Sequence, residues 1–176
     1  MSKPKITTER LILRSFRKSD LADFTAYVRD RMASEDVRYD IPWPTDDKTI
    51  KAMLRHFAKN DAWFAVQLRK GPVIGFVVAD RTKIDHIRSL GYAIRSDYRK
   101  QGYAYEACSA VIAHCRGEGI TGFTASTADC LEGSVRLLEK LGFEKTEIIA
   151  DASLNTDAHG NPIHFTAGRY KLGARE

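Results

Sequence analysis

Apolar residues recur along this chain with two different periods, and the change of period divides it into elements. Between Lys18 and Asp30, Leu21, Phe24, Tyr27 and Val28 fall at helical spacing, with Ser19 or Asp20 placed to cap the helix. A second helix follows Thr45 or Asp46, where Ile50, Met53, Leu54 and Phe57 obey the i, i+3, i+4, i+7 rule. Ahead of both, Arg10 to Arg14 reads as a short strand bracketed by charge. The stretch from Asp36 to Pro44 contains Pro42 and Pro44, each of which holds its predecessor extended. It is therefore expected to be a loop, and it carries Tyr39 and Trp43.

From Ala62 the period falls to two. Trp63 to Arg69 and Val73 to Asp80 are β-rich runs joined by Lys70-Gly71-Pro72 as an antiparallel hairpin, and Leu90 to Ile94 is a third strand. Tyr103 to Arg116 gives the clearest helix, with Ala104, Ala107, Cys108, Val111, Ile112 and Cys115 on one stripe and Gly117 and Gly119 as its stop. A strand over Gly122 to Thr127 precedes a helix over Ser134 to Leu141, and Gly142 is placed to take a left-handed C′ conformation. Phe143 to Ala150 and His164 to Leu172 are strands on either side of a polar connection, Asp151 to Pro162. The order β-α-α-β-β-β-α-β-α-β-β predicts one α/β (α+β) domain over residues 1–176. Its sheet is expected to be mixed, mostly antiparallel and flanked by helices.

Composition narrows the class. A chain of 176 residues can bury a real core without metals or disulfides, and 28 Lys plus Arg against 23 Asp plus Glu leave a net charge of +5 that favours an anionic partner. Cys108, Cys115 and Cys130 are odd in number and lack Cys-x-x-Cys spacing, which argues against a disulfide framework or a zinc module. Cys108 and Cys115 belong to the apolar stripe, and Cys130 has no activating partner in view. His114 falls off that stripe and reads as solvated. The polar start, Met1 to Lys5, lacks the apolar stretch of a secretory signal, and the most apolar window, Val73 to Ala79, is far shorter than the ~20 residues of a spanning helix. A cytoplasmic protein that engages neither membrane nor metal is expected. No basic stripe interleaved with stacking aromatics marks a nucleic-acid binder.

The segment from Gly91 to Ala107 is a strand, a basic turn and a helix start, and such a junction binds phosphate. The first helical amides lack intrahelical acceptors and carry the positive end of the helix dipole. Gly102 lets the backbone come close, Ala104 keeps the next inward position small, and Arg99 and Lys100 add charge. Taken by spacing alone, a plain strand-to-helix turn with solvated basic residues stands equally open.

Arg99-x-x-Gly102-x-Ala104 resembles the [Arg/Gln]-x-x-Gly-x-[Gly/Ala] motif of the GNAT acyl-coenzyme A-dependent N-acetyltransferases. Thr8 to Arg14, Gly91-Tyr92, Glu106-Ala107 and Ser134 to Phe143 are similar to the branch that includes ribosomal-protein N-terminal (Rim-type) enzymes. The resemblance implies acetyl-coenzyme A as donor cosubstrate, its pyrophosphate on the amides of Gln101, Gly102, Tyr103 and Ala104, and its arm along Tyr92, Ala93 and Ile94. The Ile94 N–H would then stabilise the developing oxyanion. Two positions depart from the family pattern. Leu131 stands where an Asn helps hold the arm, and Ser89 stands where a Glu serves as base through water.

The chemistry bears these losses unequally. Direct attack needs a neutral amine, and a free α-amine with pKa about 7.7–8.0 is partly neutral near pH 7, whereas a lysine at about 10.4 is not. The implied activity is acetyl transfer to a primary amine, either a protein N-terminus or a small molecule, in a ternary complex. Ser134 is the candidate donor to the leaving sulfur, with helix capping as its equally open alternative. Asp85 or His86, before the central strand, are candidates for a water-mediated base. Acceptor choice is assigned to Tyr39 and Trp43 in one loop and to Asp151, Asp157 and His159 in another, with Trp43 equally readable as a core plug. A coenzyme-binding protein with little turnover is the competing reading, and the pattern fits a monomer or a homodimer.

Overall fold

The computed structural model describes residues 5–173, so the polar start Met1 to Pro4 lies outside the described residues. Its strands are β1 (Ile6–Thr7), β2 (Leu11–Arg14), β3 (Trp63–Leu68), β4 (Val73–Arg81), β5 (Ile87–Ile94), β6 (Gly122–Ala128), β7 (Glu144–Ala152) and β8 (Phe165–Gly173). Its helices are α1 (Leu21–Ala33), α2 (Asp47–Lys59), α3 (Tyr103–Gly117) and α4 (Glu132–Lys140). The strands form one eight-stranded sheet in the order β1-β2-β3-β4-β5-β6-β8-β7. All neighbours are antiparallel except β5 and β6. The expected mixed, mostly antiparallel sheet flanked by helices is what forms.

Departures from the expected elements have local causes. β1 is a two-residue addition, too short to show a period. The Asp36 to Pro44 loop opens as a 3-10 turn over Glu35–Tyr39, because the Ser34 hydroxyl accepts the Asp36 N–H at 3.3 Å and starts a helical turn before the prolines stop it. α2 is capped as expected: Asp46 accepts the Thr49 N–H at 2.9 Å. α4 begins at Glu132 rather than Ser134, and Gly142 takes φ +87° just beyond it.

Two cores fill the two faces of the sheet. On one, Cys108, Val111, Ile112 and Cys115 of α3 and Leu138 of α4 bury against Val77, Leu90, Phe123 and Tyr170. The cysteines are core, as their stripe predicts. His114 is half-buried rather than solvated, its ring edge-on to Phe64 at 6.1 Å. On the other face, Phe24, Tyr27 and Val28 of α1 and Ile50, Leu54 and Phe57 of α2 meet Ala65, Val73 and Phe76. This second layer covers β3 and β4 and reaches no farther than Ala93 of β5.

Two polar clusters tie the N-terminal strands to the rest. Arg14 and Asp20, both about 5% exposed, form a two-pronged pair at 2.8 Å, and Arg14 also donates to Gln67 Oε1 at 2.8 Å. Asp20 further accepts the Arg17 N–H at 2.7 Å, so every charge here is met. Farther along, Glu106 in the first turns of α3 accepts from Thr8 Oγ1 at 2.6 Å, the Arg10 N–H at 2.9 Å and Arg10 Nε at 2.7 Å. Arg10 Nη1 reaches on to Gln101 O at 2.9 Å. Partial burial pushes the Glu106 carboxyl up, but the bonds from Thr8 and Arg10 outweigh it and hold it below the ordinary range.

Asp20→Asn leaves the Arg14 charge buried without its partner, so urea unfolding should show a loss of about 3–5 kcal/mol. Glu106→Gln should destabilise by about 1–2 kcal/mol at neutral pH. The folded carboxyl titrates below the unfolded one, so its stabilisation is complete above the ordinary glutamate range and disappears as pH falls through the lower folded value. The gap in unfolding midpoint between parent and variant should therefore close in acid.

Candidate active site

The two parallel strands pair only at Ile87 with Gly122, Arg88 with Phe123 and Ser89 with Thr124, although β5 runs on to Ile94 and β6 to Ala128. Beyond Ser89 they part and leave a cleft. β4 meanwhile holds the other edge of β5 from Arg88 to Ile94. The Arg95 N–H donates to Ile74 O at 2.8 Å, and the alternation of an antiparallel ladder then turns the backbone groups of Tyr92 and Ile94 toward the cleft. Those of Ala93 face β4. Of the three residues expected along the coenzyme arm, Tyr92 and Ile94 thus present main-chain donors and acceptors. Ile94 O already accepts Arg99 Nε at 3.1 Å.

At the end of β5 the chain curls into a cradle. A 3-10 turn over Ser96–Tyr98 leads to Lys100 at φ 59° and Gly102 at φ 82°, the N-cap of α3. Two left-handed residues so close together gather successive N–H groups on one side, at the positive end of a 15-residue helix. A Cβ on Gly102 would stand 3.3 Å from Arg10 Nη2 in a backbone conformation that side chains resist. Lys100 and Gln101 are exposed, and Ala104 packs on the core beneath. Tyr103 lies under the Arg10 guanidinium at 4.4 Å. Arg99 braces the turn, its Nη1 3.1 Å from Asp36 on the 3-10 turn after α1.

Ser134 stands on the α4 side of the cleft. It is the third residue of α4, whose N-cap is Leu131, so the serine is not the cap. Its Oγ lies 2.8 Å from Tyr92 Oη, and the Tyr92 hydroxyl also reaches Ser134 O at 3.3 Å. Burial pushes the Tyr92 phenol up, more than the bond to Ser134 lowers it, and keeps it protonated. This tyrosine side chain was not among the expected site groups. Its signal was the alternation that turns Leu90, Tyr92 and Ile94 to one face of β5.

The candidate bases lie apart from the cleft. Asp85 and His86 are exposed in the β4–β5 loop, beyond the paired end of β5 and β6. Asp80, which sequence reasoning passed over, stands directly across from Ser89 in the β4–β5 register and is exposed. Only the register of the hairpin reveals it.

The two acceptor segments do meet. Asn155 Nδ2 donates to Val37 O at 3.2 Å, and Tyr39 packs edge-on against Phe165 at 5.5 Å. Trp43 stacks on Phe76 at 5.9 Å and 13°, with Arg31 over its ring at 4.8 Å, and so plugs the α1–α2 core. Asp151 pairs with His164 Nδ1 at 2.6 Å. Asp157 holds its own turn, accepting the N–H groups of Asn161 at 2.9 Å and His159 at 2.8 Å, and these bonds hold its carboxyl low. His159 is exposed in the same turn.

No curated protein matches this chain in sequence. Solved structures do match in fold. A GNAT-family acetyltransferase from Bacillus anthracis is 20% identical and superposes with a TM-score of 0.83 over 97% of this chain and 98% of its own. Ribosomal-protein-S5-alanine acetyltransferase from Vibrio fischeri gives 16%, 0.79, 97% and 96%. RimL, a ribosomal L7/L12 α-N-protein acetyltransferase solved with coenzyme A, gives 15%, 0.79, 97% and 98%. Among the described residues no helix is long and apolar enough to cross a membrane. A family model described as an acetyltransferase (GNAT) domain matches residues 10–144, a span that takes in the clasp at Arg10, the cradle and the cleft, and the chain belongs to that family.

Proposed function

We propose that this protein transfers an acetyl group from acetyl-coenzyme A to a primary amine, by direct attack within the cleft between β5 and β6. The observation that carries the reading is the coincidence of the cleft with the cradle: an unpaired strand edge leads straight to a helix N-terminus with two left-handed residues. When bound, the coenzyme supplies the acetyl group as an activated thioester. The N–H groups from Gln101 to Ala104 hold the diphosphate, with Lys100 beside them. Tyr92 and Ile94 pair their main-chain groups with the amide-bearing arm, and Leu131 contributes an apolar contact in place of an amide side chain. The Ile94 N–H, or that of Tyr92 about 7 Å nearer the closed end, donates to the acyl oxygen as charge develops there.

Ser134 Oγ assists the departing sulfur. If the Tyr92 hydroxyl donates to Ser134 Oγ, the serine proton is freed to point into the cleft, so the pair works as a unit. Proton removal from the amine passes through water to Asp80, which stands nearest in register to Ser89 and the closed end, with Asp85 and His86 as more distant acceptors beyond the paired end of the strands. A protein α-amine or a small amine suits this arrangement better than a lysine, because it is partly neutral without strong help. Tyr39 and the Asp151 to Pro162 connection, including Asp157 and His159, border the acceptor side. Trp43 supports that border from beneath.

Free-thiol detection with acetyl-coenzyme A and a panel of amines tests the reading. Coenzyme binding without thiol release for any amine would instead establish a binder without turnover. Gly102→Val should abolish coenzyme binding by calorimetric titration and, through its positive φ, lower stability by about 1–3 kcal/mol. Binding equal to that of the parent would refute the cradle. Ser134→Ala should lower kcat on the order of 100-fold while leaving the coenzyme KM nearly unchanged. Tyr92→Phe should lower kcat in the same sense, and the double variant should be no worse than Ser134→Ala alone, the non-additivity of groups acting as a unit.

A further inference from the structure

The second core stops at Ala93, so on the α1 side of the sheet its helices leave Ser89, Thr124 and Ser126 uncovered. There Ser89, Thr124, Ser126, Lys83, Arg169 and Lys171 line a cavity of about 460 Å³, with Ile84 and Ile87 as its apolar wall. Phe123, Ala125 and Tyr170 point into the opposite core, and strand alternation accordingly sends Thr124, Ser126, Arg169 and Lys171 to this face. Ser89 and Thr124 are the last paired residues of β5 and β6. The cavity therefore adjoins the closed end of the cleft, on the side that α3 and α4 leave open.

Its lining is cationic and hydroxyl-rich. Three cations and four hydroxyl-bearing residues line it and no carboxylate is part of the lining, although Asp80, the cross-strand partner of Ser89, stands beside it on the same face. The cations come from separate elements, Lys83 from the β4–β5 loop and Arg169 and Lys171 from β8. Arg169 Nη1 is 2.6 Å from Glu147 Oε2 and keeps other N–H donors. Lys83 and Lys171 form no ion pair among the described residues. Glu144 and Glu147, opposite Lys171 and Arg169 in the β7–β8 register, stand outside the lining.

We infer that this cavity receives an oxyanion group, phosphate or carboxylate, carried by the acceptor, so that the preferred acceptors are anionic amines. The inference rests on the acetyl-transfer reading for the identity of the bound molecule. An oxyanion offers several acceptor oxygens to the two lysines, the guanidinium and the hydroxyls together. The same cations oppose a second positive charge nearby, which favours the neutral, nucleophilic form of the amine. Ser89 suits this role. A glutamate there would place a carboxylate on the cavity floor and repel the anion.

Matched probes decide it: O-phosphoethanolamine against ethanolamine, and the peptide amide Ser-Asp-Asp against Ser-Asn-Asn. Each is titrated calorimetrically into the protein holding coenzyme A, and each is assayed with acetyl-coenzyme A for thiol release. In at least one pair the anionic member should bind about tenfold or more tighter, and the pair that responds separates phosphate from carboxylate. The preference should weaken with added salt. It should fall below about threefold in Lys83→Gln/Lys171→Gln and in Ser89→Glu, with coenzyme affinity held within about threefold. No preference in either pair, or a preference that survives both variants, overturns the site. Lysine-dependent anion binding without thiol release from any amine would instead sink the transferase reading and leave the cavity assignment standing.

Discussion

Everything in the site depends on β5 losing its partner on one edge while keeping it on the other. A strand interior with unmet N–H and C=O groups is unfavourable unless water or a ligand meets them. β5 can keep such an edge because β4 pairs with it from Arg88 to Ile94 on one side and α3 packs below through Leu90 and Ile94. The strand is thus held rigid by neighbours that leave its remaining edge unpaired beyond Ser89. The parting of β5 from β6 also keeps Tyr92 and Ser134 from being sealed into a continuous core. The two hydroxyls bond to each other across a space that sheet pairing would otherwise close.

The two sides of the sheet then divide the labour. Helices α3 and α4 fill one face and set the cradle and Ser134. Helices α1 and α2 cover only part of the other, which leaves the hydroxyl-lined and cationic floor near Ser89 exposed. Contacts from Asn155 to Val37 and from Tyr39 to Phe165 join the α1–α2 connection to the β7–β8 connection, segments far apart in sequence. The aromatic cluster beneath, with Trp43 stacked on Phe76 and Phe57 stacked on Trp63 at 3.8 Å, fixes where that border can stand.

Much of this was legible in the chain. α2 could be read from Ile50, Met53, Leu54 and Phe57 with Asp46 as cap, because local period and local capping agree. The cradle could be read from Gly102 and its motif. The start of α4 at Glu132 was not legible, because Leu131, its N-cap, has no side-chain oxygen to announce it. β7 is almost wholly exposed, so the alternation that marks a strand is faint there. The partners of Ser134, the place of Asp80 opposite Ser89 and the convergence of Lys83 with Arg169 and Lys171 arise only from register and tertiary assembly. No window along the sequence contains them. Asp151 and Asp157 looked free in sequence, yet His164 and the Asn161 turn engage them.

The clasp between Thr8, Arg10 and Glu106 joins positions 96–98 residues apart. Closing a loop of that length costs about 4 kcal/mol by the logarithmic term alone, and local helix formation in α3 does nothing to offset it. The first turns of α3 can therefore wind early in folding, but the Arg10 contacts to Gln101 and Glu106 form only once the N-terminal edge of the sheet has docked. In the native state the order reverses. Loss of the two-residue β1 and of the Arg10 contacts would loosen the turn at Gln101 and Gly102 on one side while the pairing of β4 with β5 and the Arg99 brace stay intact, so this turn draws part of its stability from the sheet edge rather than from the core beneath it.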